Sequence, residues 1–351
     1  MAGYKEVAQK LKEKIVSGFY DDFGGRLPII DDLCLEYEVS RVTMQRTIGV
    51  LKKDGLVLTS PKKGISTTRL KRPRTYMIGA LLRVGSGVSH LHTQLCAGME
   101  RRAAHHNCSI AVRPELNGSI DEAVEAAQQF VDQQNVDGVV IWNTAADHEK
   151  IERVIEVLKR GYFPYVLVPE GLLGKEKEHP YLCVDESSIV KDVIEHLTER
   201  GHQKIAFASH LALEGGTFIE KRHLLYRVFM ESTGLFPLPP IDLTRPYEEI
   251  LEALDDATAV FCVSDDAMSI LVKVAMSTNL RISNDLAIVG YDNTTISKCL
   301  DLSSVEQHFD LIGEKAVDMI VAEAEGKKLT DQFVQVRGEL VVRGSSSAKT
   351  V

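Results

Sequence analysis

Only one tryptophan and six cysteines stand in this chain of 351 residues, and aromatic residues make up 6% of it. Cys34, Cys96, Cys108, Cys183, Cys262 and Cys299 are widely scattered and never form a C-x-x-C spacing. That spacing argues against a disulfide framework and a zinc ribbon, and the thiols, some within apolar runs such as VFCV and YLCV, read as buried and reduced. No apolar run approaches the ~18 residues of a membrane-spanning helix. The opening MAGYKEVAQKLKEK lacks the apolar stretch of an export signal, so the expected location is the cytoplasm. Walker A, G-x-G-x-x-G and H-E-x-x-H runs are also missing, so no metal and no cofactor is expected. What is there is an ordinary soluble composition, 44% hydrophobic and 26% charged. At about 100–200 residues per domain, the length suits two or three domains.

The formal net charge of −9 is unevenly placed. Residues 1–76 hold 15 Lys/Arg and 9 Asp/Glu, a balance of +6, which leaves −15 for the remainder. From Val39 to Arg74, 10 basic residues meet a single acid, Asp54. A basic segment on an acidic body fits a polyanion reader joined to something that must not bind polyanions.

The local pattern in this segment is specific. Tyr4, Val7, Leu11 and Ile15 recur at helical spacing, SGFYDDFGG ends that helix, and a short apolar helix follows from about Ile29 to Tyr37. Ser40 is placed as N-cap of a third helix, Arg41 to Asp54, expected to bury Val42, Ile48 and Leu51. LVLTSPKKGISTTRL then alternates around Pro61-Lys62-Lys63-Gly64, which reads as a hairpin with a basic tip. Three helices and a hairpin make a winged helix-turn-helix. Such a unit puts the start of its third helix into a major groove and its hairpin along the adjacent backbone. Arg41, Thr43, Gln45 and Arg46 are the groove candidates, with Arg46 turned toward phosphate, while Lys62, Lys63 and Gly64 serve the wing.

These first 70 residues resemble the DNA-binding domain of the GntR family of bacterial regulators. The resemblance rests on Tyr4, Leu27-Pro28, Val39-Ser40-Arg41-Val42-Thr43 and Gly55-Leu56-Val57 followed by Gly64. Two positions depart from the family pattern. Ile29-Ile30-Asp31-Asp32 replaces a polar stretch such as Ser-Glu-Arg, and Gln45 stands where many members have arginine. An aspartate cannot contact phosphate, so Asp31 is expected to repel the DNA backbone, and the operator sequence is not to be borrowed from a relative.

Beyond a short basic linker, 71–76, apolar strands alternate with amphipathic helices through YMIGALL, CSIAV, VDGVVIW, FPYVLV, YLCVD, KIAFAS, TAVFCVSDD and DLAIVGYD. That alternation specifies parallel sheets covered on both faces, with ligands at the carboxyl ends of the strands. The motifs Val184-Asp185-Glu186, Arg200-Gly201-His202-Gln203-Lys204-Ile205-Ala206, Phe261-Cys262-Val263-Ser264-Asp265-Asp266, Asp285 to Asn293, and Leu302 to Gln307 resemble the effector domain of the LacI/GalR family and the related periplasmic sugar-binding proteins. A GntR-type reader on a LacI-type sensor is similar to the arabinose repressors.

The resemblance implies an α/β architecture: a winged helix-turn-helix over 1–70 and a two-lobed, periplasmic-binding-protein-like domain over 77–351. The N-lobe would take about 77–184 and 306–328, and the C-lobe about 185–305 and 329–345. Crossings are expected near Val184 to Glu186, Val305 to Phe309 and Lys328 to Gln332. By the same resemblance Arg222 clamps vicinal sugar hydroxyls, Asp292 accepts from others, and Ser264 followed by Asp265 stands at the family's Asn-Asp position.

The residues themselves add further candidates. Trp142 ends the VVIW strand, where cleft and core are equal alternatives. Arg83, Ser86, His90 and His92 follow the first strand and line either the N-lobe wall or a solvated loop. Asp266 reads as a helix cap, Asp265 as a ligand contact or a cap, and Tyr291 as core. An arginine fork, carboxylates and an aromatic face are what a polyol needs, because its hydroxyls both donate and accept. Carboxylates with scattered histidines and no nucleophile elbow do not read as an enzyme. The sequence therefore describes a homodimeric, operator-binding regulator released by a monosaccharide. A phosphorylated sugar or a purine is the alternative effector.

Overall fold

The computed structural model describes residues 3–347 apart from 17–18, 21–24, 55, 61–63, 68–73, 84–89, 116–118, 144–147, 162, 170–177, 214–217, 328 and 330. The chain divides into two compact units, Met1–Arg74 with Glu323–Lys328, and Thr75–Ala322 with Leu329–Val351.

The first unit contains α1 (Tyr4–Val16), α2 (Ile30–Glu36), α3 (Arg41–Lys53) and the strands β1 (Val57–Ser60) and β2 (Gly64–Thr67). Ser40 caps α3 by accepting from the Thr43 amide at 3.2 Å. One face of α3 buries Met44, Thr47, Ile48 and Leu51 against Val7 and Leu11 of α1 and Leu33 of α2. Val42 differs from expectation and is 60% exposed. At 100° per residue, it lies away from the Met44–Ile48–Leu51 stripe, which already fills the core. β1 and β2 pair antiparallel from Val57↔Thr67 to Ser60↔Gly64, and Arg26 bridges Ser66 to extend this small sheet.

The second unit has two lobes. The N-lobe runs through β3 (Met77–Arg83), α4 (His90–His105), β4 (Ser109–Glu115), α5 (Ile120–Gln133), β5 (Val139–Asn143), α6 (His148–Arg160), β6 (Tyr165–Pro169) and β7 (Tyr181–Val184). The C-lobe follows as α7 (Glu186–Glu199), β8 (Ile205–Ser209), α8 (Phe218–Ser232), β9 (Ile241–Asp242), α9 (Tyr247–Leu254), β10 (Ala259–Cys262), α10 (Asp265–Met276), β11 (Ala287–Tyr291), α11 (Thr295–Cys299) and β12 (Ser303–Glu306). The chain then returns through α12 (Phe309–Ala324) and β13 (Phe333–Val336) to the N-lobe, and ends with β14 (Glu339–Val341) and α13 (Gly344–Ser347) on the C-lobe.

Strands such as β6, β8 and β11 are buried at every residue, as a sheet covered on both faces requires. The N-lobe order is β13-β7-β6-β5-β3-β4, all parallel, and the C-lobe order is β14-β12-β11-β10-β8-β9, parallel except for β14. The third crossing falls between Val336 and Glu339, not at Lys328 to Gln332. β13 pairs with β7 from Phe333↔Tyr181 to Val336↔Val184, so residues 333–336 belong to the N-lobe sheet. All three crossings leave the carboxyl ends of strands β7, β12 and β13, and each spans only a few residues. The carboxyl edges of both sheets are therefore held at one hinge. Cys299 is exposed, against the expectation of buried thiols, because α11 is a single surface turn.

Candidate functional site

In the first unit, the exposed start of α3 presents Arg41, Gln45 and Arg46. Thr43 is half-buried, and its hydroxyl lies 2.9 Å from Ser40 Oγ within the cap. Asp31 is not a bare repulsive charge: its Oδ1 lies 3.3 Å from Arg41 Nη1. The pair is exposed, so it steers the guanidinium more than it stabilises the fold. Gly64 opens β2 at φ +75°, a conformation glycine adopts freely. Lys62 and Lys63, expected at the tip of the wing, lie outside the described residues.

In each lobe the second strand in sequence lies to one side of the first and the later strands to the other, so a topological switch separates β3 from β5 and β8 from β10. Crevices open at such points, outside the carboxyl ends of the strands. The N-lobe switch is bounded by Arg83, His90 and Trp142. The C-lobe switch is bounded by His210, Val263 and Ser264, with Arg222 entering from α8. The side chain of Arg83, and Ser86 altogether, lie outside the described residues.

The C-lobe wall is closed on itself. Arg222 is 2% exposed and donates from Nε to Glu186 Oε2 at 3.1 Å, from Nη2 to Glu186 Oε1 at 2.8 Å, and from Nη1 to the Val263 carbonyl. Its guanidinium carbon sits 3.5 Å from the centroid of the Tyr291 ring, and the Tyr291 hydroxyl donates to Glu186 Oε2 at 2.9 Å. Burial alone would raise the Glu186 carboxyl, but the charge and hydrogen bonds of Arg222 outweigh it and hold the group below its ordinary value. Burial and the Glu186 charge push the Tyr291 phenol far up, so it stays a neutral donor.

Asp265 was a candidate effector contact, and the structure removes it from that role. It is 0% exposed, and its carboxylate accepts from the Thr294 amide at 2.7 Å, the Thr294 hydroxyl at 2.8 Å and Ser304 Oγ at 2.6 Å. Gly290 is required beside it, since a Cβ there would lie 2.2 Å from Asp265 Oδ1. Ser264 caps α10, accepting from the Ala267 amide at 3.1 Å, the task expected of Asp266. Asp292 stands at φ +104° and Asn293 at +46°, consecutive left-handed residues where β11 ends. Such backbone costs about 1–3 kcal/mol for each non-glycine residue and clusters at functional sites. Asp292 Oδ1 accepts from Gln307 Nε2 at 2.6 Å.

The N-lobe wall is different. Trp142 is 2% exposed and packs edge to face with His92 at 5.0 Å and beside Phe309 at 5.8 Å, so its ring belongs to the core and not to an open aromatic platform. Its Nε1, however, is buried without a protein partner, and the same holds for His90 Nε2 and Gln94 Oε1. On the C-lobe side His210 Nδ1 is likewise unpartnered. Burial lowers the His92 and His210 imidazoles, which keeps both neutral and gives each ring one donor and one acceptor. Buried polar atoms are normally paired, so this set marks where water or ligand atoms complete the structure. The walls meet at the hinge. Gln94 Nε2 donates to Glu306 Oε1 and Asn293 Nδ2 to Glu306 Oε2, both at 2.9 Å, and Arg343 Nη2 donates to Asn293 Oδ1 at 2.6 Å.

Residues 3–66 match the model of the bacterial regulatory proteins of the gntR family, and residues 194–346 match the periplasmic binding protein-like domain. The chain thus joins a segment that matches the gntR-family regulators to one that matches the periplasmic binding protein-like domain. Along nearly its whole length it is similar to the arabinose metabolism transcriptional repressor of Halalkalibacterium halodurans, at 24% identity over 98% of this chain and 96% of the relative. It is also 22% identical to the HTH-type transcriptional repressor CytR of Escherichia coli strain K12, over 73% of this chain and 75% of the relative. Among solved structures, the transcriptional regulator CelR–cellobiose complex matches with a TM-score of 0.66 at 19% identity, covering 91% of this chain and 100% of that one. The Lac repressor dimer bound to operator and the anti-inducer ONPF matches with a TM-score of 0.63 at 20% identity, over 80% and 97%. These structures share the fold of the effector domain.

Several groups that shape this effector domain were not singled out as site residues from sequence. Gln94 and His210 carry no motif of their own, and Glu306 lies within the motif Leu302 to Gln307 without having been singled out. Glu186 stood in a recognised motif, but its pairing with Arg222 spans 36 positions and depends on where α7 and α8 meet. The available signal was chemical, since a buried arginine requires a buried carboxylate. Among the described residues no group of His, Cys, Asp and Glu could hold a metal ion, and no helix is long and apolar enough to cross a membrane.

Proposed function

We propose that this regulator is a cytoplasmic, sugar-responsive repressor of carbohydrate-use genes, with no enzymatic activity of its own. It acts as a homodimer that holds two readers on a near-palindromic operator. The observation that carries the sensor half is the set of buried, unpartnered polar atoms on Trp142, His90, Gln94 and His210 around the two switch points. A polyol supplies both donors and acceptors to such a set. The names of an arabinose metabolism repressor and of a cellobiose-bound regulator support the same class of effector.

On the reader, Arg41 and Gln45 face base edges, Arg46 faces phosphate, and Thr43 completes the helix start. Lys62 and Lys63 serve the backbone from the wing, which Gly64 lets approach closely. In the sensor, Asp292 and Arg222 belong to the C-lobe wall, and Arg83, Ser86, His90 and Trp142 to the N-lobe wall. Sugar that completes both walls favours closure about the hinge, and closure changes the spacing of the two readers.

The test is operator binding, followed by fluorescence anisotropy on DNA selected from random sequence, in the presence of single monosaccharides. One sugar should weaken operator binding by about 5- to 150-fold, and operator should weaken sugar binding by the same factor. Operator affinity unchanged by every sugar would refute the proposal.

A further inference from the structure

The C-lobe switch point contains a charged group that the sensor reading alone leaves unexplained. Arg222 ends its side chain where an effector would sit, yet it is not available as a free cation. Of its five N–H groups, two enter the Glu186 carboxylate as a fork at 3.1 and 2.8 Å, and a third meets the Val263 carbonyl. One face of the guanidinium is covered by Tyr291 at 3.5 Å and Phe218 lies 5.2 Å from the guanidinium carbon. The geometry that a phosphate or carboxylate would need, two parallel N–H groups on an open fork, is already used by a residue of the same chain.

Glu186 is the first residue of α7, directly after the crossing from β7. Both members of the pair are buried, with side-chain exposures of 3% and 9%. Besides each other, the charges that act most on the pair include Lys221, on Glu186, and Asp292, on Arg222. Around the pair two cations face two carboxylates, and the buried Asp265 adds a further carboxylate to the same wall, so no positive charge is left over. An anion entering here would find no uncompensated positive charge and would approach the Asp292 carboxylate.

We infer that Glu186 determines the charge class of the effector: by acting as the internal counter-ion of Arg222, it makes the cleft select an uncharged polyol over its phosphorylated or carboxylated forms. The two N–H groups that Arg222 keeps serve neutral hydroxyl oxygens. This inference rests on the sugar-sensing function proposed above and narrows it.

The experiment is thermal unfolding of the full chain, wild type and Glu186→Gln, against pentoses, hexoses, their phosphate monoesters and inorganic phosphate. For the wild type, a neutral sugar should raise the melting temperature, and its phosphate ester should bind at least tenfold more weakly. In Glu186→Gln that preference should disappear or reverse, and inorganic phosphate should stabilise the variant while leaving the wild type unchanged. Glu186→Asp, which keeps the charge, should keep the preference. A wild type that binds the phosphate ester as tightly as the neutral sugar overturns the inference and leaves the sugar reading standing. An unchanged preference in Glu186→Gln overturns it as well. No shift with any member of either set overturns the sugar reading and this inference with it. If Glu186→Gln does not fold, the wild-type ratio and Glu186→Asp decide.

Discussion

The two walls of the effector domain are built on the same strand order and finished in opposite ways. At the C-lobe switch most polar groups satisfy one another, Arg222 with Glu186, Asp265 with Thr294 and Ser304, and Ser264 with the start of α10, while His210 Nδ1 is left without a protein partner. At the N-lobe switch, Trp142, His90 and Gln94 each keep a buried polar atom without a partner. A saturated wall is rigid and selective through its charge and shape. An unpaired buried donor or acceptor costs about 1–3 kcal/mol, so water or ligand atoms are expected to meet the unpartnered ones. The C-lobe wall thus spends most of its polar groups on its own geometry, and the N-lobe wall holds more of the polar atoms that await water or ligand.

The comparison is broken most directly at Glu186. Removing its charge with Glu186→Gln leaves Arg222 buried and uncompensated, and stability should fall by about 3–5 kcal/mol in denaturant unfolding. Replacing both partners together, as in Glu186→Gln with Arg222→Met, should cost markedly less than the single change. Equal losses would mean that the pair is not the closed unit described here.

A middle-sized effect is expected from pH, and it also belongs to the saturated lobe. His196 Nε2 lies 2.8 Å from Ser346 Oγ, which in turn donates to Ser303 Oγ at 2.7 Å. Burial, with Arg200 adding to it, pushes the His196 imidazole down to about 4 from 6.5. The unfolded chain therefore binds this proton more readily than the folded one. The contribution is complete above pH 6.5 and is lost as pH falls toward 4. Melting temperature should decline over that window in the wild type, and His196→Gln should flatten the decline. A variant that follows the wild-type curve would place the acid sensitivity elsewhere.

The smallest effect sharpens the contrast from the open wall. Trp142→Phe removes an N–H that has no protein partner, so unfolding stability should change by no more than about 1 kcal/mol. Effector affinity should still drop by about 2- to 13-fold, the equivalent of one neutral hydrogen bond of ~0.5–1.5 kcal/mol. Lost stability with unchanged affinity would show that Trp142 is core alone.

The sequence by itself determined the elements, the reader and the two-lobed class of the sensor. Helix starts such as Ser40, apolar strands and alternating helices are local patterns, and the structure places β3 to β8, β10 and β11 where those patterns lie, whereas the two-residue β9 had no such pattern. Local pattern misjudged Val42, because whether an apolar residue is buried depends on which stripe of α3 meets α1 and α2. It also misplaced the third crossing, since only the pairing of β13 with β7 reveals which lobe residues 333–336 join. The site shows the same limit. Arg222 and Asp292 were candidates through the family resemblance and Trp142 through its place at a strand end, but Asp265 proved a buried tie between α10 and β12, and Glu186 proved the partner of Arg222. Hydrogen bonding and charge compensation act between atoms within a few ångströms, whatever their separation along the chain. Tertiary structure alone therefore decided which polar groups are spent on one another and which remain for a ligand.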